Sequence, residues 1–217
     1  CYREALMLDS AVKIHDISPL ISEKTAVFPG DRSFSREVVL SLKHGHNITL
    51  SSIQCSVHIG AHTDAPNHYD PKGSGIESRD LRPYIGQAQV ITVKKPPGTR
   101  ILPADLKKPI VAPRLLFRTL SFPDPERWNG DFVSLSAELI DYLHQYKVRL
   151  VGIDTPSVDL ADDKILESHQ KIAAYDMAIL EGIILTDVPD GLYTLVALPL
   201  KIKDADASPV RAILLEA

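Results

Sequence analysis

Apolar residues recur along this chain with two different periods. Short runs of branched aliphatic and aromatic residues, bounded by Gly, Pro, Asn or Asp, fall at 38–42, 48–58, 88–93, 114–118, 150–153 and 193–200 and predict strands. Leu139, Ile140, Leu143 and Tyr146 instead share one face at helical spacing, which predicts a helix over 136–147 with Ser136 as its N-cap. The sharpest interruption is Lys94-Lys95-Pro96-Pro97-Gly98-Thr99, yet apolar patterning resumes on both sides, so it reads as a surface loop within one domain. There is no internal repeat or low-complexity segment, and the class is mixed α/β.

Composition narrows the function classes. The 217 residues are 44% hydrophobic and 24% charged, enough for one substantial core. A net charge of −4 provides no basic footprint for nucleic acid. Cys1 and Cys55 are too few and too separate for a disulfide scaffold, and a reducing cytoplasm is the expected compartment. No apolar run is long enough to span a membrane, and Cys1-Tyr2-Arg3-Glu4-Ala5 lacks the hydrophobic core of a signal peptide. Residues 1–13 read as an N-terminal extension and 14–217 as the domain.

The chemistry is concentrated in Cys55-Ser56-Val57-His58-Ile59-Gly60-Ala61-His62-Thr63-Asp64-Ala65-Pro66-Asn67-His68. Three of the eight histidines and one carboxylate fall within eleven residues here, a donor set suited to a divalent transition metal. In a straight strand His58, His62 and Asp64 would share a face, but the two imidazoles would stand roughly 13 Å apart, too far to meet on one ion. The chain must therefore bend, and Gly60 can supply the bend through positive φ. Gly60 and Pro66 also argue against a helix through the motif. The ligands are thus expected on a strand end and the following turn, with the rigid Ala65-Pro66 unit presenting His68 close to the ion without binding it. The plainer alternative is three hydrogen-bonding histidines in a polar loop.

The pattern His-x-Gly-x-His-x-Asp-x-Pro-x-His resembles the signature of the cyclase-like metal-dependent hydrolases, whose best-known members are the bacterial kynurenine formamidases. The similarity continues, in family order, through Asp16-Ile17-Ser18-Pro19-Leu20, Phe28-Pro29-Gly30-Asp31, Gly152-Ile153-Asp154-Thr155-Pro156-Ser157-Val158-Asp159, Ile179-Leu180-Glu181-Gly182 and Ala197-Leu198-Pro199-Leu200, ending with Asp206-Ala207-Ser208-Pro209-Val210-Arg211-Ala212. The resemblance implies a single-domain swivelling β/β/α fold, a homodimer or higher homo-oligomer, and two divalent ions, usually zinc with manganese as the alternative. Carried over by position, His58, His62 and Asp64 would hold one ion. His62 would also serve the second, with His169 and Glu181, whose twelve-residue separation matches the family interval. His68 would be the catalytic acid/base. Two departures are Ile59, where Thr is common, and Phe28, where many relatives have Trp; Phe28 would pack on the substrate's aromatic ring or, equally, be a core aromatic beside Pro29.

The implied activity is an arylformamidase converting N-formyl-L-kynurenine to L-kynurenine and formate in tryptophan degradation. Such a centre activates water as hydroxide near neutral pH and polarises the formamide carbonyl. The departing arylamine then needs a proton, which an imidazole such as His68 can deliver. An isatin hydrolase or other cyclic-amide hydrolase of the same superfamily is the nearest alternative, and a non-catalytic metal-binding protein the alternative of another class.

Outside that resemblance, His169 follows Asp162, Asp163, Lys164, Glu167 and Ser168 and would be read as a solvated helix position. Glu181 interrupts an apolar run and so needs a partner, either a metal or a buried arginine. His15, His44, His46 and His144 lack a convergent pattern and are expected at the surface or in hydrogen bonds. Asp154 and Asp159 lie in a polar loop after a strand, where capping is at least as good an explanation as catalysis.

Overall fold

The computed structural model describes residues 12–216, so most of the expected N-terminal extension lies outside the described residues. In chain order the strands are β1 (Ile14–Asp16), β2 (Ser35–Leu40), β3 (Leu50–Gln54), β4 (His62–Asp64), β5 (Ile85–Thr92), β6 (Arg100–Ile101), β7 (Arg114–Arg118), β8 (Ser134–Leu135), β9 (Leu150–Ile153), β10 (Ala178–Leu180), β11 (Gly191–Val196), β12 (Ala207–Pro209) and β13 (Ile213–Leu215). Helix α1 (Ala137–Gln145) precedes β9 and α2 (Glu167–Ala174) precedes β10. Seven strands form one sheet in the order β1-β13-β11-β5-β7-β9-β10. The half from β5 to β10 is parallel and the half from β1 to β5 antiparallel.

Strand alternation divides the core between the two faces of this sheet. Leu115, Phe117, Val151, Ile153 and Ile179 face one way and pack with Leu139, Ile140 and Leu143 of α1 and Ile172 of α2. Leu116, Leu150, Ala178 and Leu180 face the other way, in a second cluster with Ile17, Ala61, Tyr84 and Leu195. Because both faces of β7 and β9 are covered, their sequences are nearly continuous apolar runs.

The expected strands at 114–118 and 150–153 match β7 and β9. The helix is also present, with the Ser136 hydroxyl accepting from the Leu139 amide at 3.1 Å. Tyr146, placed by spacing on its apolar face, is instead the exposed residue that ends α1, its ring tilted against that of Tyr142 at 4.8 Å. The strand expected over 48–58 is regular only as β3. After Gln54 the chain is held back by Ser56, whose amide donates to Arg32 O at 3.0 Å and whose hydroxyl donates to Asp31. The strand expected over 38–42 ends at Leu40, because the Ser41 hydroxyl captures the Lys43 amide and starts a 3₁₀ turn.

Strands β2 and β3 form an antiparallel hairpin that pairs with no other strand among the described residues. Val38, Leu50 and Ile53 are exposed along it. No helix of the described residues is long and apolar enough to cross a membrane.

Short strand β4 pairs with β12 and joins the end of β10 through a two-way backbone bridge: His62 N to Glu181 O at 3.1 Å and Glu181 N to His62 O at 2.9 Å. Two glycines permit this approach. Gly60 has φ +60°, the bend expected from the sequence, and Gly182 has φ +64° with its own Cβ position only 2.2 Å from Gly60 O. Gly182→Ala is therefore expected to destabilise the fold by about 3 kcal/mol, combining left-handed strain with a backbone clash. Urea unfolding checks this against Gly98→Ala, where φ is +66° and the added methyl meets nothing. Equal, small losses in the two variants would refute the clash.

Candidate metal centre

Three stretches of chain meet beyond the ends of β9 and β10. His58 lies in the turn after β3, His62 and Asp64 lie on β4, and His68 closes the 3₁₀ turn Pro66–His68 that begins at the proline. His169 is in the first turns of α2, and Glu181 directly follows β10. The bend at Gly60 brings the rings of His58 and His62 to 5.1 Å, and His68 lies 4.3 Å from His58. All six residues singled out as ligands or acid/base in the sequence are therefore neighbours in space.

Asp64 is at the centre of the group. Its Oδ1 is 3.2 Å from His58 Nδ1 and 3.7 Å from His62 Nε2, while its Oδ2 is 3.4 Å from His169 Nε2. Glu181 Oε2 stands 3.1 Å from His62 Nε2, and Glu181 Oε1 is 3.8 Å from His169 Nε2. Two donor sets follow, His58 with Asp64 and His68, and His62 with Asp64 and Glu181, each with its atoms within 4.8 Å of one another.

A metal fits these residues on a physical test. Both Asp64 carboxylate oxygens are buried without a hydrogen-bond partner, which for an ionised carboxylate is costly unless a cation completes it. The imidazoles are already oriented for one by their outer nitrogens. His62 Nδ1 is 2.9 Å from Gly60 O, His58 Nε2 is 2.9 Å from Asp206 Oδ2, and His169 Nδ1 is 2.8 Å from Asp159 Oδ2. Each ring thus has an acceptor for one N–H and turns its other nitrogen inward.

The electrostatics reflect this crowding. Burial works against charge on His58, but the nearby Asp64 carboxylate, together with Asp206, raises its pKa to about 9. Burial is likewise outweighed at His169 by Asp159 and Asp64, which raise it to about 10. Asp64 is driven well below the ordinary carboxylate range by His169 and His58 despite its burial. His68 goes the other way: burial pushes it down, and the neighbouring His58 and His169 add to that against the pull of Asp64.

A cavity of about 550 Å³ opens above the centre, with His58, His62, His68, His169 and Glu181 on its wall. Phe28, Phe122 and Trp128 form an aromatic side of that cavity. Phe28 is 46% exposed and meets Trp128 edge-on at 5.0 Å, so it lines the opening and is not a core residue.

Several residue-level readings change in the structure. His169 is buried on the inner face of its helix, where sequence alone suggested a solvated position. Glu181 has no arginine partner among the described residues; its second oxygen accepts from the Val158 amide at 2.6 Å. Asp154 does hold structure, accepting from the Thr119 and Leu120 amides and the Thr119 hydroxyl. His15 bonds to Glu216, His144 stacks on Tyr175, and His44 and His46 are exposed at the hairpin turn, away from the cavity. The residue that sequence reasoning missed is Asp206. It reaches His58 at 2.9 Å and His68 Nδ1 at 3.6 Å across nearly 150 residues of chain, and its one signal was its place in the Asp206-to-Ala212 block.

Comparison with known proteins agrees with this geometry. The sequence matches the family described as "Putative cyclase" over residues 15–160. Among solved structures, a potential metal-dependent hydrolase with cyclase activity superposes with TM-score 0.83 at 26% identity, covering 95% of this chain and 99% of that one. A predicted metal-dependent hydrolase from Bacillus stearothermophilus gives 0.79 at 27% identity, covering 96% and 100%. An isatin hydrolase bound to the product analogue thioisatinate shares the fold at 0.81 with 18% identity, covering 94% and 92%. With the family match spanning about two thirds of its length, this chain belongs to the cyclase family.

Proposed function

We propose that the chain is a metal-dependent amide hydrolase, an arylformamidase that splits N-formyl-L-kynurenine into L-kynurenine and formate. The observation that carries the metal-dependent part is Asp64, buried with both oxygens unbonded among three inward-turned imidazole nitrogens beneath a cavity. The aryl part is supported by the aromatic side formed by Phe28, Phe122 and Trp128. The ligands are His58, His62, Asp64, His169 and Glu181, holding two divalent ions, zinc in the first instance. Asp64 lies within 3.7 Å of nitrogens of His58, His62 and His169, which supports it as a ligand shared between the ions, alongside His62, to which the family resemblance gives the shared role.

Divalent ions in this centre supply an activated water and a polarised carbonyl. The chain's own residues supply the rest. His68 is the most exposed of the four imidazoles, with 34% of its side chain accessible, it lines the cavity, and burial pushes its pKa down, toward the neutral form that can accept a proton. It accepts a proton as the formyl carbon is attacked and returns it to the departing arylamine nitrogen. Phe28 and Trp128 pack on the ring and keep bulk water from the carbonyl.

Incubating ion-replete protein with N-formyl-L-kynurenine and following kynurenine absorbance tests the reading, with a chelated sample alongside. Release should be fast and lost on chelation. Failure of ion-replete protein on this substrate, with turnover of isatin, would transfer the reaction to cyclic amides. His68→Ala should retain its ions and lose about 10²- to 10⁴-fold in kcat; undiminished turnover would remove His68 from the chemistry. Asp64→Ala should lose both ions and activity, as metal analysis would show; full metal content in this variant would contradict a shared ligand.

The proposed assembly is a homodimer, supported by the family resemblance and by the β2–β3 hairpin. Arg36 and Val38 share one face of the hairpin with Ile53 and Ser51, and beyond the bulge that follows Val38, Leu40 pairs with Leu50 on the other face, so that exposed Val38, Leu50 and Ile53 leave apolar surface that a lone two-stranded hairpin cannot bury. Light scattering should give twice the chain mass for the wild type and the single mass for Ile53→Asp. A monomeric wild type would refute the assembly.

A further inference from the structure

Arg100 lies on β6 and does not line the cavity, yet it is joined to the centre by an almost closed chain of hydrogen bonds. One guanidinium nitrogen, Nη1, donates to Asp159 Oδ1 at 2.6 Å and to Leu135 O at 2.8 Å; the other, Nη2, donates to Asp163. Asp159 is fully buried. Its Oδ2 accepts from the His169 ring at 2.8 Å and from the His169 amide at 3.0 Å, and both its oxygens lie 3.1 Å from the Ser168 amide. Helix α2 needs this external cap, because its own N-cap position is Leu166, in the left-handed region at φ +56° and without an accepting side chain. Asp163 does the same one turn earlier, accepting from the Ile165 and Leu166 amides.

One carboxylate therefore fixes both the backbone and the ring of His169. An ionised Asp159 can only accept, so once an ion replaces the inner proton the neutral imidazole keeps its remaining proton on Nδ1 and leaves the Nε2 lone pair for the ion, on the side of Asp64 and Glu181. Arg100 in turn fixes Asp159, and a planar fork that spans two carboxylates can do this where a single ammonium cannot. We infer that Arg100 and Asp159 are positioning residues that hold the tautomer and direction of His169 for a divalent ion, so that ion affinity is set partly from outside the cavity. This inference rests on the metal-centre reading above and adds to it residues that touch neither ion nor substrate.

The test is zinc affinity, measured by competition with a chromophoric chelator on the whole chain. Asp159→Asn must turn its NH₂ toward either Arg100 or the His169 side, setting donor against donor, and should bind zinc about 10- to 100-fold more weakly. Arg100→Lys should weaken it about tenfold. Asp163→Asn is the control: its one remaining oxygen can serve the same arginine or the loop amides but not both, and it does not touch His169, so it should lose thermal stability while keeping its zinc affinity. A merely structural role would weaken zinc binding in all three variants in parallel with stability, and that result would overturn the inference. Nitrogen-15 NMR of zinc-loaded wild type gives a second reading that needs no variant to fold, and His169 protonated on Nε2 would likewise overturn it. A wild-type chain that binds no zinc or manganese would remove the metal-centre reading as well. Binding by the wild type with unchanged affinity in Asp159→Asn would remove this inference alone.

Discussion

The reciprocal backbone bridge between His62 and Glu181 is the constraint on which the rest of the site depends. It ties the histidine-rich segment to the end of β10, and so fixes residues 119 positions apart in sequence at hydrogen-bonding distance. Strand β4 is only three residues long and would not persist alone. It is held on its other edge by β12 and beneath by the Thr63 hydroxyl, which donates to Ile179 O at 2.6 Å. With β4 fixed in this way, alternation alone puts the His62 and Asp64 side chains on the same side of the ribbon and Thr63 on the other.

That arrangement gathers two buried carboxylates, which would repel each other if left to themselves. Three imidazoles stand between or beside them, and further acceptors lie behind the imidazoles. The order is strict: inner carboxylate, imidazole, outer acceptor. At His169 the outer acceptor is a buried aspartate neutralised by an arginine; at His58 it is Asp206, half exposed at the cavity edge. The two sides of the centre therefore differ in dielectric surroundings as well as in ligand type. The charge distribution is self-consistent around divalent cations, and without them it leaves Asp64 unbonded.

Much of this was legible in the sequence because it is local. The His58-to-His68 motif lies within eleven residues, so its chemistry and the need for a bend at Gly60 followed from spacing and backbone sterics. The buried parallel strands declared themselves as apolar runs, and Ser136 as a cap. Interactions over long sequence separations were not legible. His169 looked solvated because Asp162, Lys164 and Glu167 around it are in fact exposed, while Asp163 is consumed by an arginine and loop amides and the inward turn of His169 depends on Asp159, which no helical periodicity encodes. Only the family resemblance brought it in. Asp206 was invisible as a partner because its role exists only once β12 has paired with β4. Tyr146 misled because a helical stripe continues in sequence past the point where Tyr146 and the left-handed Lys147 end the helix.

The rigid and variable parts of the structure divide between the candidate metal centre and the walls of the cavity above it. His62, Asp64 and His169 lie on strand or helix, and Glu181 is pinned by the bridge. The walls contributed by Phe28, Phe122, Trp128 and Leu160 all come from segments without regular structure. Loops accept substitution at little cost to the core, whereas a ligand displaced by even one residue of register would turn away from the ion. Phe28 sits just before the hairpin and His58 just after it, and their segments are tied at its base by Ser56, Asp31 and Arg32. Wall and ligand thus share one hydrogen-bonded anchor, above which the aromatic side chains can change. Reaction type in such a fold follows the anchored centre, and substrate choice follows the loops.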